Sequence, residues 1–155
     1  MDLLILAEGS ERCELRSRRG SALVEHDGGR FTYRRTTGDP LGLGRDLEGD
    51  ADAAWDATIE SDYPDGIVQA AVLAGASRSG DIILSAAPGH DFRARYEPIP
   101  HRSAHGALHR DHMLVPLLTN RVPRRVPRRT TDLFPSTLAA LGVEAPAIMD
   151  GRSFL

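Results

Sequence analysis

Apolar and polar residues change rhythm several times along the chain, and each rhythm predicts an element. Residues 2–9 form a short aliphatic run, Asp-Leu-Leu-Ile-Leu-Ala-Glu, closed by Gly9. That length and composition predict a buried strand. From Cys13 to Arg35 apolar and polar residues alternate around two turn signals, Arg19-Gly20 and Asp27-Gly28-Gly29. A period of two with such turns predicts a small antiparallel meander. The Gly- and Pro-rich stretch 36–44 breaks the alternation and reads as a loop.

Helical spacing follows. Residues 51–60 predict a helix with Asp50 as its cap and acidic residues in the first turn, where the helix dipole favours them. A second helix starts near Asp65, with Ile67, Ala70, Val72, Leu73 and Ala74 as its apolar face. Ile82, Ile83 and Leu84 lie between turn residues on both sides and predict a strand in the centre of a sheet. A further strand is expected from Leu114 to Leu118, beside that central one. The last helix, Thr131 to Leu141, has readable ends. Thr130 or Thr131 caps it, Pro135 sits near its first turn, Gly142 follows its last, and Pro146 blocks continuation. Leu133, Phe134, Leu138 and Leu141 form its expected buried stripe, covering the central strand. Strands separated by helices make an α/β layer fold, with the meander as a side feature.

Composition narrows the partners. A chain of 155 residues is long enough to bury a core. Its net charge of -3 does not suggest a polyanion-binding protein, so no nucleic acid polymer is expected. Every basic residue is arginine. The basic connector Arg121–Arg129, with its two prolines, reads as a solvated extended loop, with anion attraction as the minority reading. The single cysteine, Cys13, cannot form an internal disulfide. No apolar run approaches the roughly 18 residues of a membrane span, and no signal peptide is evident, so a cytoplasmic protein without a membrane partner is expected.

The richest chemistry lies just before the expected strand at 114–118. His101, His105, His109 and His112 fall at i, i+4, i+8 and i+11, which on a helix would share one face and resemble a metal site. Pro98, Pro100, Ser103, Gly106 and Pro116 oppose a helix there. They favour an irregular loop entering a strand, the place where α/β folds put their chemistry.

The ordered set of pieces from residue 80 onward resembles the C-terminal part of the alkaline phosphatase superfamily, in particular its type I phosphodiesterase and nucleotide pyrophosphatase branch. The pieces are the His105-Gly106 pair, "HMLVPLL", the helix "TTDLFPSTLAALGV" and the closing Asp150-Gly151-Arg152-Ser153. The resemblance is weak before residue 80. It implies an alkaline phosphatase-like layered sheet with helices, one partial domain: a strand and meander or insertion over 1–45 and an α/β core over 46–155. It also implies that His105 ligates one of two divalent metals, usually zinc. A neutral imidazole holds zinc without cancelling its charge, so the metal stays a Lewis acid toward a phosphoryl oxygen. His112 aligns next to the strand and is not expected to be a ligand. His101 and His109 have no counterpart in the family.

The family's nucleophilic threonine or serine and its Asp-His-Gly motif have no match in the chain. The implied function is therefore the C-terminal fragment of a metal-dependent phosphoesterase, acting on a phosphodiester, pyrophosphate or phosphomonoester. It supplies one metal ligand and no catalytic residue, so it is inactive alone and has the missing N-terminal half of the fold as its partner. The alternative is a non-catalytic module that binds a metal through the histidine loop or docks a partner chain along an exposed sheet edge.

Overall fold

The predicted alternation becomes a sheet. In the computed structural model, which describes residues 1–90, 92 and 105–155, β1 (Leu3–Ala7), β2 (Arg12–Ser17), β3 (Gly20–Asp27) and β4 (Arg30–Gly38) run as an antiparallel meander. The short β5 (Leu47–Asp50) pairs with β4, and β6 (Ile82–Ser85) pairs antiparallel with β1. The order is β5-β4-β3-β2-β1-β6. The fold is thus a mixed α/β one built on a six-stranded antiparallel sheet.

Pairing register explains the core. Ile5 lies opposite Leu15 and Leu15 opposite Ala22, while Cys13 lies opposite Val24 and Val24 opposite Tyr33. Since side chains alternate faces, these residues share one side of the sheet. All six are fully buried there, together with Leu3. Helices α1 (Ala51–Thr58) and α2 (Gly66–Gly75) cover this side. Burial pushes the Cys13 thiol up to about 12, with Glu8 adding to the effect. Cys13 therefore acts as a small core residue and not as a nucleophile.

The helix ends follow from side chains. Asp50 accepts the Ala53 N–H at 2.8 Å, as expected of the cap. Between the helices the buried Thr58 hydroxyl donates to the Ala54 carbonyl at 2.7 Å and accepts the Asp65 N–H at 2.9 Å. Asp65 holds a left-handed conformation, φ 58°, which aspartate tolerates better than most residues. Ile67 and Ala70 point to the core as predicted, but Val72 is exposed; Val68 and Ala71 are buried instead.

Three expectations fail. Among the described residues β6 is an edge strand, not a central one, and Ile82 and Leu84 are exposed on the face opposite α2. Residues 114–118 form no strand; α3 (Arg110–Met113) is a single turn, and the chain continues exposed and irregular. The stripe of the last helix is not buried either. The helix begins as a 3-10 turn, Thr130–Asp132, so neither threonine caps it, and continues as α4 (Leu133–Leu141). Pro135 and Ser136 are its buried residues, whereas Leu133, Phe134 and Leu141 are exposed. Helical periodicity reports an apolar face; it does not say that anything covers it.

The described residues group into two compact units, Met1–Val115 and Pro116–Leu155. The second unit is organised by a carboxylate. Asp132 is 5% exposed. One of its oxygens accepts the Arg152 N–H at 2.9 Å; the other accepts the Arg128 N–H at 3.0 Å and pairs with Arg125 at 2.9 Å. Burial opposes its ionisation, but the N–H groups of Arg152, Arg128 and Arg129 and the Arg125 charge outweigh it, and its pKa lies below the usual carboxylate value. The Ser136 hydroxyl donates to the Asp132 carbonyl at 2.6 Å and accepts the Phe154 N–H at 2.9 Å. Gly151 passes so close to the Thr131 carbonyl that a Cβ would overlap it. At the far end Gly142, φ 69°, closes α4, with the Val143 N–H returning to Leu138. Arg125 also donates to the Ser153 and Arg152 carbonyls, so the connector expected to be solvated is partly structural.

Candidate functional site

His105 precedes a well-anchored segment. Ala107 and Leu108 are buried, and the Leu108 N–H reaches the hydroxyl of buried Ser85 at 3.0 Å. Ser85 is the last residue of β6, so this segment crosses the carboxyl end of that strand. The Arg110 N–H donates to the Asp62 carbonyl at 2.8 Å, and its guanidinium donates to the carbonyls of Glu60 and Ser61 at 3.2 Å each. Gly106 adopts φ 96°, a turn that other residues rarely make. His105 itself is exposed in an irregular stretch, as the loop reading expected.

The other histidines part ways. His109 caps α3: its Nδ1 accepts the Asp111 N–H at 3.4 Å, and its ring meets Tyr63 edge-on with centroids 6.3 Å apart. His112 lies on α3 with a buried Nδ1 that has no hydrogen-bond partner among the described residues. His101 lies outside the described residues. A helix that lines up the histidines is not present over 105–112, because α3 spans four residues only. Among the described residues no three His, Cys, Asp or Glu side chains converge as a metal would require.

Beside this segment the first unit carries a cleft of about 680 Å³. The β2–β3 turn contributes Ser17, Arg18 and Arg19; the α1–α2 connection contributes Asp62 and Tyr63; the residues after β6 contribute Pro88 and His90, and His109 completes the wall. Arg19 is braced. It pairs with Asp62 at 2.9 Å, donates to the Pro40 carbonyl at 3.4 Å and lies 5.4 Å from the centre of the Tyr63 ring. Burial weakens its charge, but Asp62 and Tyr63 outweigh that and raise its pKa. The Tyr63 hydroxyl donates to Asp2 at 2.8 Å; burial first, and Asp2 second, raise the phenol pKa well above its ordinary value.

The turn that holds the two arginines is fixed by backbone approach. The Asp39 N–H donates to the Arg19 carbonyl at 2.8 Å, and a Cβ on Gly20 or Gly38 would overlap the facing strand. Asp39 braces the next loop through Tyr33 at 2.6 Å and the N–H groups of Gly42 and Gly44 at 2.9 and 2.6 Å. Sequence reasoning did not find this cleft. Its walls come from five stretches of chain, Met1 and Asp2 among them, and only the fold brings them together. The dense turn chemistry of "SDYPDG", residues 61–66, was the one local hint.

Comparison with known proteins finds no family model, no curated protein and no solved structure that matches the chain.

Proposed function

We propose that the chain is the C-terminal part of a metal-dependent phosphoesterase with an alkaline phosphatase-like layered sheet, and that His105 is one of its metal ligands. The observation that carries the reading is where apolar side chains lie on β1 and β6. In β2 the face opposite the helices carries Glu14 and Arg16, as expected of a sheet with one wet side. On β1 and β6 that same face carries Leu4, Leu6, Ile82 and Leu84, with Leu4 opposite Leu84 and Leu6 opposite Ile82. Strands apolar on both faces belong inside a layered sheet with cover on each side. The outer edge of β6 meets no strand among the described residues. Both features suit continuation of the sheet by another polypeptide segment, the half of the fold in which the family keeps its nucleophile.

On this reading the chain supplies a ligand just ahead of the segment that crosses the carboxyl end of β6. A bound zinc pair would supply Lewis acidity and a lowered pKa for the attacking group. One exposed imidazole does not hold such a pair, so no step of the reaction is assigned to this chain alone. The test is zinc titration with hydrolysis of a bis-aryl phosphate. The chain alone should bind zinc weakly and show no turnover. Co-expression with a chain that carries the family's nucleophile half should produce chelator-sensitive hydrolysis that His105→Ala abolishes. Turnover that survives His105→Ala, or tight zinc binding by the chain alone that survives it, would sink the reading; the latter outcome would favour a self-contained binding module.

A further inference from the structure

We infer that the cleft between the β2–β3 turn and the α1–α2 connection binds a small phosphate-bearing anion, with Arg18 as the recognising charge and Arg19 as its fixed neighbour. Its role as a substrate subsite rests on the phosphoesterase reading; its ability to bind an anion does not.

The inference begins with the state of the charges. Two acids line the cleft, and both are engaged: Asp62 by Arg19 and Asp2 by the Tyr63 hydroxyl. Arg18 is exposed, and its guanidinium forms neither a hydrogen bond nor an ion pair with the described residues. The phenol hydrogen bond does not cancel the Asp2 charge, so the formal charges of Arg18, Arg19, Asp2 and Asp62 balance. Arg18 differs from the other three in that its charged group is not engaged by the described residues, and it sits beside a braced guanidinium. The turn that carries both is held by the Gly20–Gly38 approach and by the Ser17 hydroxyl, which accepts the Arg19 N–H at 3.1 Å. The direction of the site is therefore set before any ligand arrives, which lowers the cost of binding.

Chemistry selects the ligand. A guanidinium offers a planar fork of donors that matches phosphate oxygens two at a time. The volume lies within the range of about 300–1,000 Å³ that small-molecule sites occupy. The cleft is also near the proposed metal ligand along the chain. Pro88 and His90 follow the end of β6, and His109 lies just beyond the Leu108 N–H that bonds Ser85.

The probe is inorganic pyrophosphate, titrated into the full chain with a chelator present so that no metal contributes. Saturable binding is expected, with NMR shifts at the side chains of Arg18 and Arg19, and it should weaken as salt rises. Arg18→Ala should weaken it about tenfold, the loss of one good charge-assisted contact. That variant removes no hydrogen bond or ion pair among the described residues, so its fold should be unchanged. His105→Ala should leave binding unaltered, which separates this inference from the proposed function. No saturable binding, or binding that Arg18→Ala leaves unchanged, overturns the inference, and so does binding that disappears with His105→Ala.

Discussion

The two units of the chain are held by different forces. Met1–Val115 contains a continuous apolar face, from Leu3 and Ile5 across Leu15 and Val24 to Tyr33, packed against two helices. Pro116–Leu155 has no comparable core. Phe154 is buried, but Leu117, Leu118, Val122, Val126, Phe134, Leu141 and Ile148 are all exposed. A segment of about forty residues cannot remove enough apolar surface from water to fix itself. Its order comes instead from the Asp132 carboxylate, the Ser136 hydroxyl and the backbone groups they satisfy. The comparison teaches that an ordered segment need not be an apolar one. Polar bonds fix its geometry, and its apolar side chains remain available for burial elsewhere.

The largest effect should come from breaking the apolar unit. Leu15 is fully buried opposite Ile5 and Ala22. Leu15→Ala should cost about 2–5 kcal/mol, through lost burial and the cavity left behind. Urea unfolding followed by circular dichroism checks this, and a loss below 1 kcal/mol would mean that the sheet face is not the core of the unit. Ile83, expected from sequence to be central, is only partly buried and should cost less.

The second effect is smaller and local. Asp132→Ala leaves the N–H groups of Arg152 and Arg128 and the Arg125 guanidinium without their shared acceptor. An unsatisfied group costs about 1–3 kcal/mol when buried. Hydrogen exchange should accelerate at the amides of 128–129 and 152–154 and stay unchanged in β1–β4. Acid should act in the same way. The folded pKa of Asp132 lies below its ordinary value, so the unfolded state binds the proton more readily. The stabilisation is complete above the ordinary carboxylate range near pH 4 and is lost as pH falls through the depressed folded pKa. Asp39, also depressed, against burial, by Tyr33 and the N–H groups of Gly44, Leu43 and Gly42, gives its loop the same dependence. Because the second unit lacks an apolar core, its amides should lose protection first. Equal loss in both units on acidification would erase the distinction between them.

What was legible in the sequence follows the same division. The meander could be read because alternation and the turns at Arg19-Gly20 and Asp27-Gly28-Gly29 are local signals, and Asp50 could be read as a cap from its neighbours. Edge position could not be read. Ile82, Ile83 and Leu84 look the same in the middle of a sheet and at its border, because the difference lies in which strands pair with them. Asp132 escaped notice because its partner Arg152 lies twenty residues away. The segments "TTDLFPS" and "DGRSF", which carry much of the family resemblance, turn out to be the two halves of that clasp. For His105 the sequence offered a ligand, and the fold offers an anchored segment beside it. Among the described residues no three His, Cys, Asp or Glu side chains converge, so His105 as a metal ligand is a proposal carried by the resemblance.

The smallest effect sharpens the comparison most. Leu141 is 71% exposed on α4. In the chain alone Leu141→Ser should change stability by no more than about 0.5 kcal/mol, as surface substitutions usually do. Burial of a leucine side chain is worth about 1.5–3 kcal/mol. If the proposed partner half covers α4, the same substitution should weaken the complemented protein by an amount in that range while leaving the isolated chain unchanged. Two measurements therefore decide the matter: the unfolding midpoint of the chain alone, and the affinity between the chain and the nucleophile-bearing half. A large loss in the first would show that Leu141 belongs to a core within the unit. No loss in the second would show that α4 is not the covered face, and would leave the apolar side of β1 and β6 as the place for that half to dock.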